Sequence, residues 1–407
     1  MSALYDGNGN IVSIDHPASM DDIPIVVGDC PTVYVESETA FTSLTKETKS
    51  YGTLTFVDGK KKIKNCPVTI KLQGNTASTL YDKKSLNVAF FTDDTYEDKR
   101  KFKFNSWYPT NKIHIKGNPS EGSHIRNSVC AKIANLLIGK YYPDGAMGVV
   151  DSFPCILYYN GEWMGCYTFN LTQDDSTFAM DKDSATNVAW RCGAGGQTAY
   201  ASISNWEVRS ENEDIDGVTD SFSALLPIMA DTENLTKDIL TTHFDIPTLV
   251  MYMLICQIGN LSDNMANNWT IATWDGVKWY HCLYDMDYGF GVGFGGGNGV
   301  ASTGDALVSS NTHCAYFFSK SAELLSEEMK AMYAWIRSHG IDAETLGQMF
   351  IDYKNRYGLL NWEKEAEKWG GTRNYPVYNS ALDIYGVKEW LTSRFTALDE
   401  LYGYAAE

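Results

Sequence analysis

The chain has 407 residues, of which 44% are hydrophobic and 21% are charged, and its formal net charge is −18. This length and composition are typical of a globular protein with more than one domain's worth of core. A surface that binds nucleic acid needs clustered Lys and Arg, so the strong negative charge argues against a nucleic-acid partner.

The sequence also argues against a membrane span and a disulfide framework. No apolar run approaches the roughly 18 residues that a membrane span needs, and the N-terminus lacks a basic-then-apolar signal. We therefore expect a chain that folds in the cytoplasm, where it is made. The nine Cys form no Cys-x-x-Cys pair, which predicts neither a zinc site nor a disulfide framework and is typical of a reduced compartment.

The first 22 residues stand apart from the rest of the chain. They contain a hairpin-type turn rich in Gly and Asn, with few apolar residues on either side. Such a segment can bury little surface by itself. We predict that residues 1–22 form an arm or attachment segment that docks on another chain.

Residues 23–175 are predicted to form a strand-rich region, because apolar and polar residues alternate in its first part. Gly74 falls between two of the predicted strands. The backbone amides and hydroxyls of this turn, which includes Asn75 and Thr76, could meet phosphate oxygens. The alternation is clearest at residues 31–35, 53–57, 68–72 and 85–90.

The strand after this turn begins with two lysines. Lys83 shares the polar face of the strand with Ser85 and Asn87, and Lys84 shares the apolar face with Leu86. A phosphate-binding Lys must point into a cleft under the sheet. This requirement slightly favours Lys84, and both lysines stay candidates.

The remaining elements follow in chain order. A helix that carries Arg126 near its start is predicted to run toward Gly139, and strands follow over residues 149–169. Residues 176–217 are rich in Gly, Ser and Asp without clear periodicity, which predicts an irregular insert. Apolar residues recur at roughly helical spacing beyond it, so residues 218–407 are predicted to be a helical region.

The most informative segment for chemistry runs from Cys256 to Gly291. Asn268 follows Asp263 by five residues, and Asp285 and Asp287 come at the end of a predicted strand roughly 20 residues later. An alcohol that attacks a nucleoside triphosphate needs a carboxylate to orient it, and oxygen ligands must hold the magnesium that bridges the phosphates. The alternative is a polar turn between a helix and a strand.

Five pieces of sequence together resemble the CotH family of atypical protein kinases, known from spore coats. The resemblance covers about residues 23–401, and each piece is weak alone. The pieces are residues 70–78, close to the family's Arg-Gly-Asn-Ser-Ser loop; 83–86, close to Lys-Lys-Ser-Tyr; 121–127, close to Asp-x-Ser-x-x-Arg-Asn; 160–167, close to Asn-Gly-Glu-Tyr-x-Gly-x-Tyr; and 284–291, close to Trp-Asp-x-Asp-x-x-Phe-Gly.

The resemblance implies an α+β, atypical protein-kinase-like fold with a strand-rich N-terminal lobe and a helical C-terminal lobe. It implies ATP and Mg²⁺ as cofactors and a Ser or Thr hydroxyl on a coat or particle protein as the substrate. The implied roles are catalytic carboxylate for Asp263, phosphate contact for Lys84 or Lys83, metal ligands for Asn268, Asp285 and Asp287, and nucleotide contacts for Gly74, Asn75, Thr76, Ser78 and Arg126.

Three departures from the family pattern bear on activity. Gln73 stands where the family has Arg, Tyr284 where it has Trp, and Leu171 where it has a Glu. The resemblance then implies that an ion pair that positions the catalytic Lys is lost at this position. Two alternatives therefore stay open: a structural component of a spore coat or phage virion, such as a decoration or tail protein, and a carbohydrate-binding protein that uses its aromatic residues.

Overall fold

The structure is a computed structural model of the chain. It describes residues 25–74, 80–119, 123–143, 145–193, 200, 202–292, 313–372 and 384–405, together with two short N-terminal strands. These two strands, β1 (Ser2–Tyr5) and β2 (Ile11–Asp15), pair with each other in antiparallel fashion.

Seven strands close into a barrel in the order β3-β4-β5-β6-β7-β9-β8. Neighbours are antiparallel except β3 and β8, which pair in parallel. Alternation places one face of each strand inside, where a cluster of aromatic rings that includes Phe56, Phe104 and Phe169 fills the core. The strands are β3 (Thr32–Ser37), β4 (Ser50–Asp58), β5 (Lys60–Gln73), β6 (Ser85–Phe90), β7 (Lys112–Lys116), β8 (Ser152–Tyr159) and β9 (Glu162–Leu171).

A second, antiparallel sheet has the order β11-β10-β12-β13. Its strands are β10 (Val188–Cys192), β11 (Trp206–Val208), β12 (Trp269–Thr273) and β13 (Tyr280–Leu283). The helices are α1 (Arg126–Ile138), α2 (Asp175–Phe178), α3 (Asp220–Ala230), α4 (Lys237–His243), α5 (Ile246–Gly259), α6 (His313–Leu324), α7 (Ser326–Ser338), α8 (Ala343–Asn355), α9 (Leu359–Trp369) and α10 (Ile384–Tyr402).

Helix α5 lies at the centre of the helical region and ends at the candidate site. Its N-cap, Asp245, accepts a hydrogen bond from the Thr248 backbone amide at 2.9 Å, and Pro247 occupies the first turn, where no amide partner is needed. From Thr248 onward every residue of the helix is buried. Asn260 ends the helix in the left-handed conformation, with φ of 50°, and turns the chain toward Asp263.

The prediction of an α+β protein with a strand-rich N-terminal region and a helical C-terminal region is confirmed at that level. The segment 176–217 differs from its predicted irregular structure, because β10 and β11 lie within it. Trp190 and Trp206 are buried there, but the strands are short and flanked by Gly and Ser, so their alternation was not recognisable. None of the helices among the described residues is both long and apolar enough to cross a membrane.

His281 on β13 is a fully buried side chain with an unusual environment. Neither of its ring nitrogens has a hydrogen-bond partner among the described residues. The ring stacks against those of Trp269 and Phe317, with centroid distances of 5.6 and 6.2 Å. Burial lowers the pKa of His281 from 6.5 to about 3, so the residue is neutral in the folded protein at physiological pH.

We expect His281 to make the protein sensitive to acid. The stability that a neutral His281 contributes is complete above pH 6.5 and is lost as the pH falls toward 3, because the unfolded chain binds the proton first. His281→Leu should flatten the pH dependence of the unfolding free energy by up to about 1.4 kcal/mol per pH unit in this window. Urea denaturation at a series of pH values measures this slope, and equal slopes for the two proteins would contradict the prediction.

Candidate functional site

A cavity of about 550 Å³ lies between the barrel and the second sheet, in the size range of small-molecule sites. Strands β6 and β7 supply one wall, strand β10 and the end of β11 supply another, and the loops that follow α5 and β13 supply the carboxylates. The lining includes Gly74, Ser85, Asn87, His114, Lys116, Arg191, Glu207, Arg209, Asp263, Asn267, Asn268, Tyr284, Asp285 and Asp287.

Asp263 is held in place by the two Asn residues that follow it. Its Oδ1 accepts a hydrogen bond from Asn267 Nδ2 at 2.8 Å, and its Oδ2 accepts one from Asn268 Nδ2 at 2.7 Å. Burial raises the pKa of Asp263, the hydrogen bond from Asn267 lowers it, and the negative charge of Asp285 raises it again. The net effect is a pKa above the ordinary value of 3.8, so this carboxylate is a stronger base than an exposed Asp.

Asp285 lies in the loop that follows β13 and lines the same cavity as Asp263. Its backbone is left-handed, with φ of 53°, a conformation that costs free energy in a residue other than Gly. Asn127 stabilises this turn, because its Nδ2 donates to Asp285 Oδ1 at 2.9 Å and its Oδ1 accepts from the Met286 amide at 3.2 Å. Lys116 Nζ donates to the same Oδ1 at 2.8 Å, while about 35% of the Asp285 side chain remains exposed.

The two carboxylates differ in their electrostatics. Burial alone would raise the pKa of Asp285, but the charge and hydrogen bond of Lys116 outweigh burial and lower it. Asp285 is therefore a persistent anion, whereas the pKa of Asp263 is raised. A pair of neighbouring carboxylates whose pKa values are shifted in opposite directions is typical of sites in which one group handles a proton and the other stays ionised.

The predicted metal ligands fit Mg²⁺ in residue type. Asn268 Nδ2 also approaches the Asp285 carbonyl oxygen at 3.4 Å, and Asp287 lines the same cavity. Asp263, Asp285 and Asp287 do not converge on a ready-made three-carboxylate cage, since their oxygens are not all within 4.8 Å of one another. Mg²⁺ commonly uses only one or two carboxylates together with water and substrate phosphates, so this arrangement is compatible with it.

The two lysines that were predicted to contact phosphate, Lys83 and Lys84, do not line the cavity. Alternation along β6 turns Ser85 and Asn87 toward the cavity and Leu86 into the barrel core, so the polar face of this strand is the one that meets the cavity. Lys84 Nζ donates to the Tyr81 carbonyl oxygen at 2.6 Å. Lys83 shares the polar face, but its ammonium turns away from the cavity lining. A phosphate contact by either lysine stays a prediction.

Lys83 instead belongs to a buried ion pair with Glu365 on α9. Lys83 Nζ donates to Glu365 Oε1 at 2.5 Å and to the Cys166 carbonyl oxygen at 2.7 Å, and both charged side chains have 0% exposure. Leu171, at the position where the family has a Glu, is buried in the barrel core. The carboxylate partner of Lys83 therefore comes from a helix near the C-terminus rather than from the strand that the family pattern suggests.

The other predicted nucleotide contacts have different outcomes. Gly74 lines the cavity, whereas Asn75, Thr76 and Ser78 lie outside the described residues. Arg126 is buried, and its guanidinium donates to Ser123 Oγ at 3.3 Å and to the Phe290 carbonyl oxygen at 3.5 Å. It does not line the cavity, so it supports the loop after Asp285 from behind.

Sequence reasoning missed the basic side chains that do line the cavity, Lys116, Arg191 and Arg209. Lys116 could have been found, because β7 alternates Lys112, His114 and Lys116 with two Ile residues, which predicts one polar face. Arg191 and Arg209 lie in the segment that was predicted to be irregular. His114, also on the cavity wall, has its pKa lowered from 6.5 to about 3 by burial and by the charge of Lys116.

The fold and the cavity define an α+β protein with a polar cleft that is suited to a charged small molecule. The family model for the CotH kinase protein matches residues 70–332, which is more than half of the chain, and the chain belongs to this family. The comparison with curated proteins found no match.

Proposed function

We propose that this protein is a protein kinase that transfers the γ-phosphoryl group of ATP, with Mg²⁺, to a Ser or Thr hydroxyl. The observation that carries the proposal is the pair Asp263 and Asp285, two carboxylates on one cavity whose pKa values are shifted in opposite directions. Membership of the CotH kinase family supports the same reaction class.

In this proposal Asp263 receives the substrate hydroxyl. The hydroxyl oxygen forms a bond to the γ-phosphorus, the bond from that phosphorus to the bridging oxygen breaks, and ADP leaves with the electron pair. The hydroxyl proton passes to Asp263, whose two hydrogen bonds from Asn267 and Asn268 keep the carboxylate oriented. Asp285, with Asn268 and Asp287, would hold Mg²⁺, which neutralises charge on the phosphates when it is bound.

The substrate class rests on the family resemblance rather than on the cavity. We propose a Ser or Thr of a coat or particle protein, with the kinase made in the cytoplasm and assembled on a spore coat or phage particle. The alternative is a structural protein of such a particle with weak or no activity, and a structural protein without activity predicts a cavity that binds no nucleotide. Nucleotide binding therefore separates the two functions.

The test compares the magnesium-dependent binding of ATP by the Asp285→Asn variant with that by the parent protein. The substitution keeps the shape of the side chain but removes its negative charge, so we expect MgATP affinity to fall by about tenfold or more, with little change in affinity for ATP without magnesium. Isothermal titration calorimetry with and without Mg²⁺ measures both values.

Asp214→Asn is the matched control, because Asp214 is exposed and outside the cavity lining. It should bind MgATP like the parent protein. If the parent protein binds no MgATP and transfers no phosphate, the kinase proposal is wrong and the structural role is favoured.

A further inference from the structure

We propose that Lys116, Arg191 and Arg209 hold the phosphates of the nucleotide in this protein, in place of Lys83 and Lys84. This inference rests on the proposed kinase function and identifies the cations of the same cleft. It assigns the triphosphate to the wall that β7 and the second sheet form together.

Lys116 is the barrel's contribution to this wall. It is the last residue of β7, its side chain is 8% exposed, and its Nζ lies 2.8 Å from Asp285 Oδ1. This ion pair places the ammonium directly beside the proposed metal ligand, on the wall of the same cavity.

Arg191 and Arg209 are the contribution of the second sheet. Both guanidinium groups contact the same carboxylate oxygen, Glu207 Oε2, at 2.5 and 3.4 Å. The Arg side chains are 20% and 26% exposed, and Glu207 is 50% exposed. Two cations thus share one accessible carboxylate, so the part of the wall that the second sheet supplies carries an excess positive charge. A planar guanidinium is well matched to two phosphate oxygens.

Tyr284 brings the two groups of cations together. Lys116 Nζ lies 5.4 Å from the centroid of its ring, and the Arg191 guanidinium carbon lies 5.3 Å from the same centroid. A cation near an aromatic ring is stabilised by the ring's electrons. Tyr284 immediately precedes Asp285 in the chain, so the ring fixes Lys116 and Arg191 close to the carboxylate that would bind the metal.

The buried ion pair explains why Lys83 is unsuited to this task. Its ammonium already has a carboxylate and a carbonyl oxygen as partners at 0% exposure. Moving it to a phosphate would leave Glu365 as an uncompensated buried charge, which costs several kcal/mol. Lys116 can instead turn from Asp285 to a phosphate oxygen, because Asp285 is partly exposed and Mg²⁺ would compensate its charge at the same time.

The experiment measures binding of MgATP, AMP and inorganic triphosphate to the full chain and its variants. Lys116→Met and Arg191→Met should each weaken MgATP and triphosphate binding by about 10- to 100-fold, because each removes a charge-assisted contact. AMP, which lacks the outer phosphates, should be affected less. Lys116→Arg keeps the charge and should restore part of the affinity, which separates loss of charge from loss of packing.

Lys112→Met is the control on the same strand and the same face, since the partner of Lys112 is Glu211 and it does not line the cavity. It should bind MgATP within about twofold of the parent protein, which is well below the loss of a charged contact. A larger loss for Lys84→Met or Lys83→Met than for Lys116→Met, in proteins with parent-like thermal unfolding, would overturn the inference.

The outcome also distinguishes this inference from the proposed function. If triphosphate binds through Lys116 and Arg191 but no phosphate is ever transferred, the cation assignment stands and the kinase proposal fails. If phosphate is transferred and both Met variants keep their affinity, the cation assignment alone fails. A parent protein that binds neither MgATP nor triphosphate would contradict both.

Discussion

Asp263→Asn should lower kcat by about 100- to 10,000-fold and leave MgATP affinity within a few-fold, because the carboxylate serves the attacking hydroxyl rather than the nucleotide. The side-chain amide that replaces the Asp263 carboxylate can keep hydrogen bonds to the two neighbouring Asn residues. Asn267 is exposed, so its side chain can rotate and accept from the new amide. The fold around the loop should therefore survive, and the loss should appear in the chemical step.

The pH profile gives a second measurement of the same residue. A base must be deprotonated, so activity should be lost as the pH falls through the pKa of Asp263. Burial, the largest cause, raises this pKa above 3.8, so the acidic limb should lie at higher pH than for an exposed Asp. Radiolabelled phosphate transfer at a series of pH values measures it.

Asp214→Asn is again the control, and it should keep the parent rate and profile, because Asp214 is exposed and does not line the cavity. If Asp263→Asn keeps most of the parent kcat, Asp263 is not the base, and its raised pKa is only a consequence of burial. The binding measurement separates this result from misfolding, since a protein that still binds MgATP is folded at the site.

The acidic half of the site could be predicted from the sequence because its residues are close together in the chain. The spacing of Asp263, Asn268 and Asp285 predicts a loop, a hairpin and a second loop. In the structure these three residues line one cavity. Strand alternation likewise predicted the sheet. These features depend on local structure, which a short stretch of sequence determines.

Apart from Lys116, which the alternation in β7 marks, the basic half could not be predicted, because it depends on contacts between distant parts of the chain. Alternation separated Lys83 from Lys84 but did not show which face of β6 meets the cavity. That answer depends on the closure of the barrel, which turns the apolar face inward. The partner of Lys83, Glu365, is 282 residues away, and no local pattern marks it. Arg191 lies on β10, a short strand in the segment that was predicted to be irregular, and its position in the sheet depends on pairing with β11 and β12.

The Lys83–Glu365 pair leads to the largest expected effect on stability. Glu365 is fully buried on α9, where it accepts hydrogen bonds from Lys83 Nζ at 2.5 Å and from the Cys166 amide at 2.7 Å, and His124 Nε2 lies 3.3 Å from its Oε1. The space is tight, since a Cβ on Gly165 would lie only 2.2 Å from Glu365 Oε2. This carboxylate joins the barrel strands to a helix near the C-terminus.

We expect Glu365→Ala to lower the free energy of unfolding by about 3–5 kcal/mol, because it leaves Lys83 as a buried charge without its carboxylate. Replacing both residues by apolar ones, in Lys83→Met with Glu365→Leu, should recover part of this loss, since the unpaired charge is then gone. Glu363→Gln, at an exposed position of the same helix, is the control and should change stability by less than about 0.5 kcal/mol. Urea denaturation measures all three proteins.

The same pair should also contribute to acid sensitivity, and the sign follows from the pKa of Glu365. Burial would raise this pKa, but Lys83 and His124 outweigh burial and lower it from 4.5 to about 2. The stability that the ionised Glu365 contributes is therefore complete above pH 4.5 and is lost as the pH falls toward 2. Glu365→Ala should lose this dependence. If it unfolds at the parent urea concentration with the parent pH dependence, the pair does not hold the barrel and the helical region together.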